Sequence, residues 1–326
     1  MSSTAIPTTT KAWAVEGKDG FESLKLKNEV PIPALSENEV LVKIHAASLN
    51  YRDLAITKGM YPLGLKSGVV PCSDGAGEVI AVGSKVVTLF NQGHIAGSLD
   101  KQTSVTGLGG SLDGTLRQYG TFNEAGLVDM PPSLNWQEAF TLSCAALTPW
   151  NALYGLKPLA PGDVFAKAAG ATVIATTSSS AKAEILKKLG ADHVINYKDT
   201  PEWGEKAASL TPKNAGVNHV LEFGGPATMA QSLKAVKIDG VISIIGVLGG
   251  FSKEQPRFMD VLMNLYTVRG LLVGSRAQFE DMNRAIEANG IKPVVDEKVF
   301  SLEQAKEAYQ YMFAQKHFGK LTIKIE

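Results

Sequence analysis

Ala171-Thr172-Val173-Ile174-Ala175-Thr176-Thr177 is a nearly continuous apolar, β-branched run, and Ser178-Ser179-Ser180 leads from it into a helical stretch over residues 181–189 that stops at Gly190. Ser180 reads as the helix N-cap and Gly190 as the C-terminal glycine stop. A short apolar strand feeding a capped helix is half of a strand–helix–strand unit. The alternation repeats through His193-Val194-Ile195-Asn196 and residues 217–223, 240–248 and 268–273. Strands this apolar are buried on both faces, so helices must cover each side. The chain therefore predicts an α/β domain with a doubly wound parallel sheet.

One part of that sheet is missing from the text. Pro161-Gly162-Asp163-Val164 runs directly into Phe165-Ala166-Lys167-Ala168-Ala169-Gly170. Pro161 and Gly162 should open a strand, whereas residues 165–169 followed by Gly170 read as the end of a helix. Parallel strands average about 5–6 residues and helices roughly 11–12, so a strand, a tight Gly-rich loop and the first helical turns, about 15 residues, are absent. The expectation is a cofactor sheet without its first strand or phosphate loop.

Residues 11–130 have a different rhythm. Glu39-Val40-Leu41-Val42-Lys43-Ile44-His45 alternates as a half-buried strand, and residues 77–82 and 85–90 read as two strands across a short turn. A mainly β domain is expected over 1–130, then the α/β domain over 131–291. The last stretch, 292–326, ends in Lys320-Leu321-Thr322-Ile323-Lys324-Ile325, a strand that returns to the first domain. The Gly- and Ser-rich stretch 93–114 is long for a loop and points to function or mobility.

The chain has 326 residues with Lys plus Arg equal to Asp plus Glu at 32 each, which gives no electrostatic reason to expect nucleic acid or an anionic membrane as partner. No apolar run is long enough to span a bilayer, and the N-terminus lacks the basic start and apolar stretch of a secretion signal. The two cysteines, Cys72 and Cys144, make no disulfide framework. A cytoplasmic location is the expectation.

Ala46-Ala47-Ser48-Leu49-Asn50-Tyr51-Arg52-Asp53-Leu54, residues 71–79 and Gly114-Thr115-Leu116-Arg117-Gln118-Tyr119 resemble the catalytic-domain signatures of the medium-chain dehydrogenase/reductase superfamily, in its zinc-independent, quinone-oxidoreductase-like branch. Residues 190–197 and Ile244-Ile245-Gly246-Val247-Leu248-Gly249-Gly250 resemble its cofactor-domain signatures. The resemblance runs from about residue 11 to 325 with the motifs in order. It implies a GroES-like catalytic domain, a Rossmann-like cofactor domain, a small-molecule substrate and a homodimer, with residues 268–273 as an edge strand open to pairing.

In zinc-dependent relatives a Cys, a His and a second Cys hold the catalytic metal; by resemblance the matching positions here are Asn50, Ser73 and Cys144. No metal is expected, a site rebuilt from Cys72 or His45 being the alternative. Without a Lewis acid, alcohol oxidation loses its means of stabilising alkoxide, whereas in a quinone or enone conjugation spreads the developing charge. The resemblance makes Asn50 a donor to the substrate carbonyl. Tyr51 or Tyr61 would supply a proton or wall the pocket.

Dinucleotide folds that prefer NAD place an acid after the second strand, on the ribose hydroxyl. Here Thr176-Thr177-Ser178-Ser179-Ser180 and Lys182 stand there instead, and neutral hydroxyls with a cation suit a 2′-phosphate. NADP is thus the expected cofactor. By resemblance Ser178, Lys182 and Tyr197 surround the phosphate and adenine, with Thr148, Gly246, Val247, Leu248, Ser275 and Lys320 as further cofactor contacts. The alternatives to an NADPH-dependent, metal-free reductase of quinones, enones or related conjugated carbonyls are a zinc-free alcohol-dehydrogenase-like enzyme and a truncated, redox-inactive binding or regulatory protein of the same fold.

Overall fold

A computed structural model describes residues 6–62, 64–159, 170–250 and 256–326. The chain forms two compact units, Met1–Leu147 with Val273–Glu326, and Thr148–Leu272.

In the first unit, β1 (Thr9–Val15) pairs antiparallel with β2 (Leu24–Pro31). A second, antiparallel run joins β3 (Glu39–Ser48), β4 (Asp74–Val79), β5 (Lys85–Thr88) and, beyond it, β7 (Leu127–Asp129), while β6 (Tyr119–Asn123) lies on β3. The β4–β5 turn is tight because Gly83 takes a left-handed φ of 71°, which glycine tolerates without a Cβ clash. The core gathers Leu24, Ile44, Leu49, Leu116, Phe300 and Tyr309, each at most 1% exposed. Burying each such side chain stabilises the fold by roughly 1.5–3 kcal/mol. The stretch 93–114 is folded, with the Asp100 carboxylate accepting from the backbone N–H groups of Gln102 and Thr103 at 2.8 and 2.7 Å.

The second unit is the expected strand–helix alternation. Strand β8 (Ile174–Thr177) pairs parallel with β9 (His193–Asn196), and β10 (Val217–Glu222), β11 (Val236–Ile244) and β12 (Thr267–Gly270) form a parallel sheet in that order. Helices Ser180–Lys188, Trp203–Ser209, Met229–Ala235 and Met259–Asn264 occupy the successive connections. Among the described residues, β8 is paired only to β9, β10 only to β11, and no strand joins the two ladders. The expected join of Val164 to Phe165 and the helix end over 165–169 lie outside the described residues.

Three local expectations are corrected. Ser179, not Ser180, caps the helix: its extended backbone leaves the helix and its Oγ accepts from Lys182 N at 3.4 Å. Strand β11 starts at Val236 and ends at Ile244, so Gly246-Val247-Leu248 lies beyond it rather than within a strand over 240–248. Strand β12 stops at Gly270 instead of running to 273.

After the second unit the chain returns as predicted. Strand β13 (Val295–Ser301) pairs parallel with β14 (Lys320–Lys324), and β14 pairs antiparallel with β3, Ile323 opposite Ala47. No described helix is long and apolar enough to cross a membrane.

Candidate active site

The end of β3, the start of β4 and the start of β14 bring Asn50, Ser73, Asp74 and Lys320 together. Asn50 opens the helix Tyr51–Thr57, and its backbone N–H donates to Asp53 Oδ2 at 2.8 Å. Its side-chain Nδ2 donates to Ser73 Oγ at 3.3 Å, and the Ser73 hydroxyl donates to Asp74 Oδ1 at 2.7 Å. Thr88 fixes the same turn by donating its hydroxyl to the Ser73 carbonyl at 2.8 Å. The Lys320 ammonium donates to Leu49 O at 2.7 Å and Asn50 Oδ1 at 2.6 Å, and pairs with Asp74 Oδ2 at 3.1 Å.

Ser73, Asp74 and Asp53 are fully buried. Burial pushes the Asp53 carboxyl up despite the neighbouring Arg52 charge and the Asn50 N–H, and Asp74 adds to the rise. Burial likewise pushes the Cys72 thiol well up, which leaves Cys72 a buried apolar group without thiolate character. Tyr51 is 43% exposed at the start of its helix. Tyr61 packs on the core, and the Arg52 guanidinium lies over its ring at 4.9 Å and over the Phe90 ring at 4.7 Å. These contacts hold the Tyr61 ring by core packing and a cation–π contact. Among the described residues no three His, Cys, Asp or Glu gather as a metal cluster.

In the second unit, the expected nucleotide residues lie at the carboxyl ends of the strands, where open α/β sheets bind ligands. Ser178 follows β8 directly, Lys182 sits in the first turn of the next helix, and Tyr197 follows β9, its N–H donating to Thr177 O at 3.0 Å. No acid stands between β8 and that helix. Thr148 is buried in the helix Leu147–Tyr154.

The loops after β10 and β11 interlock. Gly225 has φ 77°, and a Cβ there would stand 2.8 Å from Gly246 O; a Cβ on Gly246 would stand 2.9 Å from Phe223 O. Glycine at both positions lets the two backbones approach. Val247 and Leu248 are left exposed at 42% and 52%. The buried Glu222 at the end of β10, which sequence reasoning missed, pins this arrangement by accepting from Gly225 N at 2.9 Å and Thr228 Oγ1 at 2.6 Å. Its signal was an acid ending a buried strand just before two glycines.

Back in the first unit, Ser275 caps the helix Arg276–Asn289, its N–H donating to Gln278 Oε1 at 2.9 Å. The fold brings Asn50 and Lys320 to one place, while the contacts of Ser275 are those of a helix cap.

The chain matches the family model described as alcohol dehydrogenase GroES-like domain over residues 36–132, and that described as zinc-binding dehydrogenase over 164–288. It is 43% identical to a zinc-type alcohol dehydrogenase-like protein of Schizosaccharomyces pombe, covering 94% of this chain and 96% of that one. It is 28% identical to a 2-methylene-furan-3-one reductase of Solanum lycopersicum, covering 99% and 81%. Among solved structures, an NAD-dependent alcohol dehydrogenase superposes with a TM-score of 0.85 at 28% identity, covering 97% of this chain and all of that one. The GroES-like unit, the Rossmann-like unit and the 43% relative together establish that this chain belongs to the medium-chain dehydrogenase/reductase superfamily of nicotinamide-dependent oxidoreductases.

Proposed function

We propose that this chain is an NADPH-dependent, metal-free reductase of quinones, enones or related conjugated carbonyl compounds. The observation that carries the reading is the direct hydrogen bond from Asn50 Nδ2 to Ser73 Oγ at 3.3 Å, which joins two of the positions where zinc-dependent members carry ligands. An amide and a hydroxyl are poor zinc ligands, whereas an oriented amide N–H is a good donor to a developing oxyanion. The Solanum relative is named for a conjugated furanone, in keeping with such a substrate.

The proposed cofactor supplies hydride when bound. Ser178, Lys182 and Tyr197 would hold its 2′-phosphate and adenine, Thr148 and residues 246–248 its nicotinamide end. Asn50 would hold the substrate carbonyl oxygen, and the exposed Tyr51 would deliver the proton to the adjacent carbon, with Tyr61 as wall.

The test is NADPH consumption with p-benzoquinone and with a simple enone, before and after exhaustive chelation. Turnover that survives chelation, in protein with far less than one zinc per chain, is expected. Turnover lost on chelation and restored by zinc would sink the metal-free reading. A redox-inactive binding protein is the second reading, favoured by the two ladders of the cofactor unit, which no strand joins among the described residues.

A further inference from the structure

Lys320 reaches Asn50 from the opposite end of the chain, and its contacts form a closed ring. The ammonium meets Asn50 Oδ1 at 2.6 Å; Asn50 Nδ2 meets Ser73 Oγ at 3.3 Å; the Ser73 hydroxyl meets Asp74 Oδ1 at 2.7 Å; and Asp74 Oδ2 faces the ammonium at 3.1 Å. The ammonium also donates to Leu49 O at 2.7 Å, so two of its hydrogens have acceptors, and Asp74 Oδ2 meets it as an ion pair rather than as a hydrogen-bond acceptor. The Lys320 side chain is only 14% exposed and Asp74 is fully buried, so water competes weakly for these contacts.

A primary amide has an oxygen and a nitrogen of nearly the same size, and sterics alone do not choose between its two orientations. An ammonium does choose, because it accepts nothing. Placed against the amide, it holds Oδ1 toward itself and turns Nδ2 the other way. One Nδ2 hydrogen then goes to Ser73, whose own hydrogen is committed to Asp74. No other acceptor among the described residues takes the second.

We propose that Lys320 is a positioning residue that locks the Asn50 amide in its donor orientation toward the substrate carbonyl, and is not a cofactor ligand. The proposal rests on the role of Asn50 given above. It assigns Asp74 as the group that keeps Lys320 in place and explains why a largely covered lysine stands at the start of β14.

The variants are Lys320→Met, the charge-balanced pair Lys320→Met with Asp74→Asn, which leaves no lone buried charge to unfold the chain, and Lys320→Arg, which keeps a cationic donor. With NADPH and p-benzoquinone, both methionine forms should lose about tenfold or more in kcat, because the oxyanion donor is misaligned, while KM for NADPH stays within about twofold. Lys320→Arg should recover most of the loss. Independently of activity, the Asn50 side-chain amide, assigned by its disappearance in Asn50→Asp, should show a nuclear Overhauser contact from Nδ2 hydrogens to Ser73 Hβ that is kept in Lys320→Arg and lost in the methionine forms. A raised KM for NADPH at unchanged kcat, or an amide contact that survives in the methionine forms, would overturn the proposal. If the unaltered protein reduces neither quinone nor enone, the functional reading fails, and the amide contact alone decides the positioning role.

Discussion

The backbone N–H of Asn50 donates to Asp53 Oδ2 at 2.8 Å, while Asp53 Oδ1, equally buried, has no hydrogen-bond partner among the described residues. The carboxyl is therefore satisfied on one side only, and burial pushes its pKa above the ordinary 3.8. A folded-state pKa raised above the unfolded one favours the protonated carboxyl in the folded chain. Its contribution to stability is full below the ordinary Asp range and is lost as pH rises through the raised value, where the folded chain must bury an ionised carboxylate. Asp53→Asn keeps the acceptor for Asn50 N and cannot ionise. Thermal melts from acid to neutral pH should show the variant gaining on the unaltered chain as pH rises; an offset that is constant or shrinks would refute the assignment.

NADPH should bind more tightly than NADH, and Lys182→Ala should narrow the difference. The helix after β8 begins without an acid, and a charge-assisted contact to the 2′-phosphate is worth on the order of 1.5–3 kcal/mol, roughly tenfold to a hundredfold in affinity. Fluorescence titration of both cofactors against both proteins makes the comparison. Equal affinities in the unaltered chain would remove Ser178 and Lys182 from the cofactor site.

Much of this arrangement was legible in local sequence. The strands expected over 193–196 and 217–223 stand at His193–Asn196 and Val217–Glu222, and the return strand expected over 320–325 stands at Lys320–Lys324, because short apolar, β-branched runs carry their own strand signal. The first half of β11 did not, since Lys237, Asp239 and Gly240 look like a loop; Asp239 adopts a left-handed φ of 60° within the strand. Three consecutive serines offered no local basis for choosing Ser179 over Ser180 as cap. The contact between Lys320 and Asn50 was hidden for another reason. It joins residues 270 positions apart, and only the antiparallel pairing of β14 with β3 brings them together.

A homodimer should form through the free edge of β12. Among the described residues that strand ends its sheet, and just before it in the chain Phe258, Met259, Leu262, Met263 and Leu265 are all more than half exposed, Phe258 at 90%. Arg269, by contrast, is turned onto the helix Leu147–Tyr154, donating to Asn151 O at 3.1 Å and Oδ1 at 2.9 Å, which leaves the strand backbone for pairing. An open edge beside an apolar strip is a self-association surface. Light scattering should give a dimer mass, and Phe258→Asp with Met263→Asp should shift it to monomer at micromolar concentration. A monomer in the unaltered protein would count against the surface.

Restoring a strand and glycine-rich loop between Val164 and Phe165 should tighten cofactor binding and raise the melting temperature. Strands β8 and β10 are each paired on one side only among the described residues, where a doubly wound sheet would place its first strand between them. Each buried backbone group left without a partner costs about 1–3 kcal/mol. A phosphate loop and helix N-terminus in that place would add at least two backbone contacts to a pyrophosphate, roughly 3–6 kcal/mol, or about a hundredfold or more in affinity. The measurement is a family-like insertion compared with the unaltered chain by NADPH titration and thermal melt. Micromolar NADPH binding and a high, sharp melt without the insertion would mean that the pyrophosphate is held by another part of this chain, and that the separation of β8 from β10 does not limit its function.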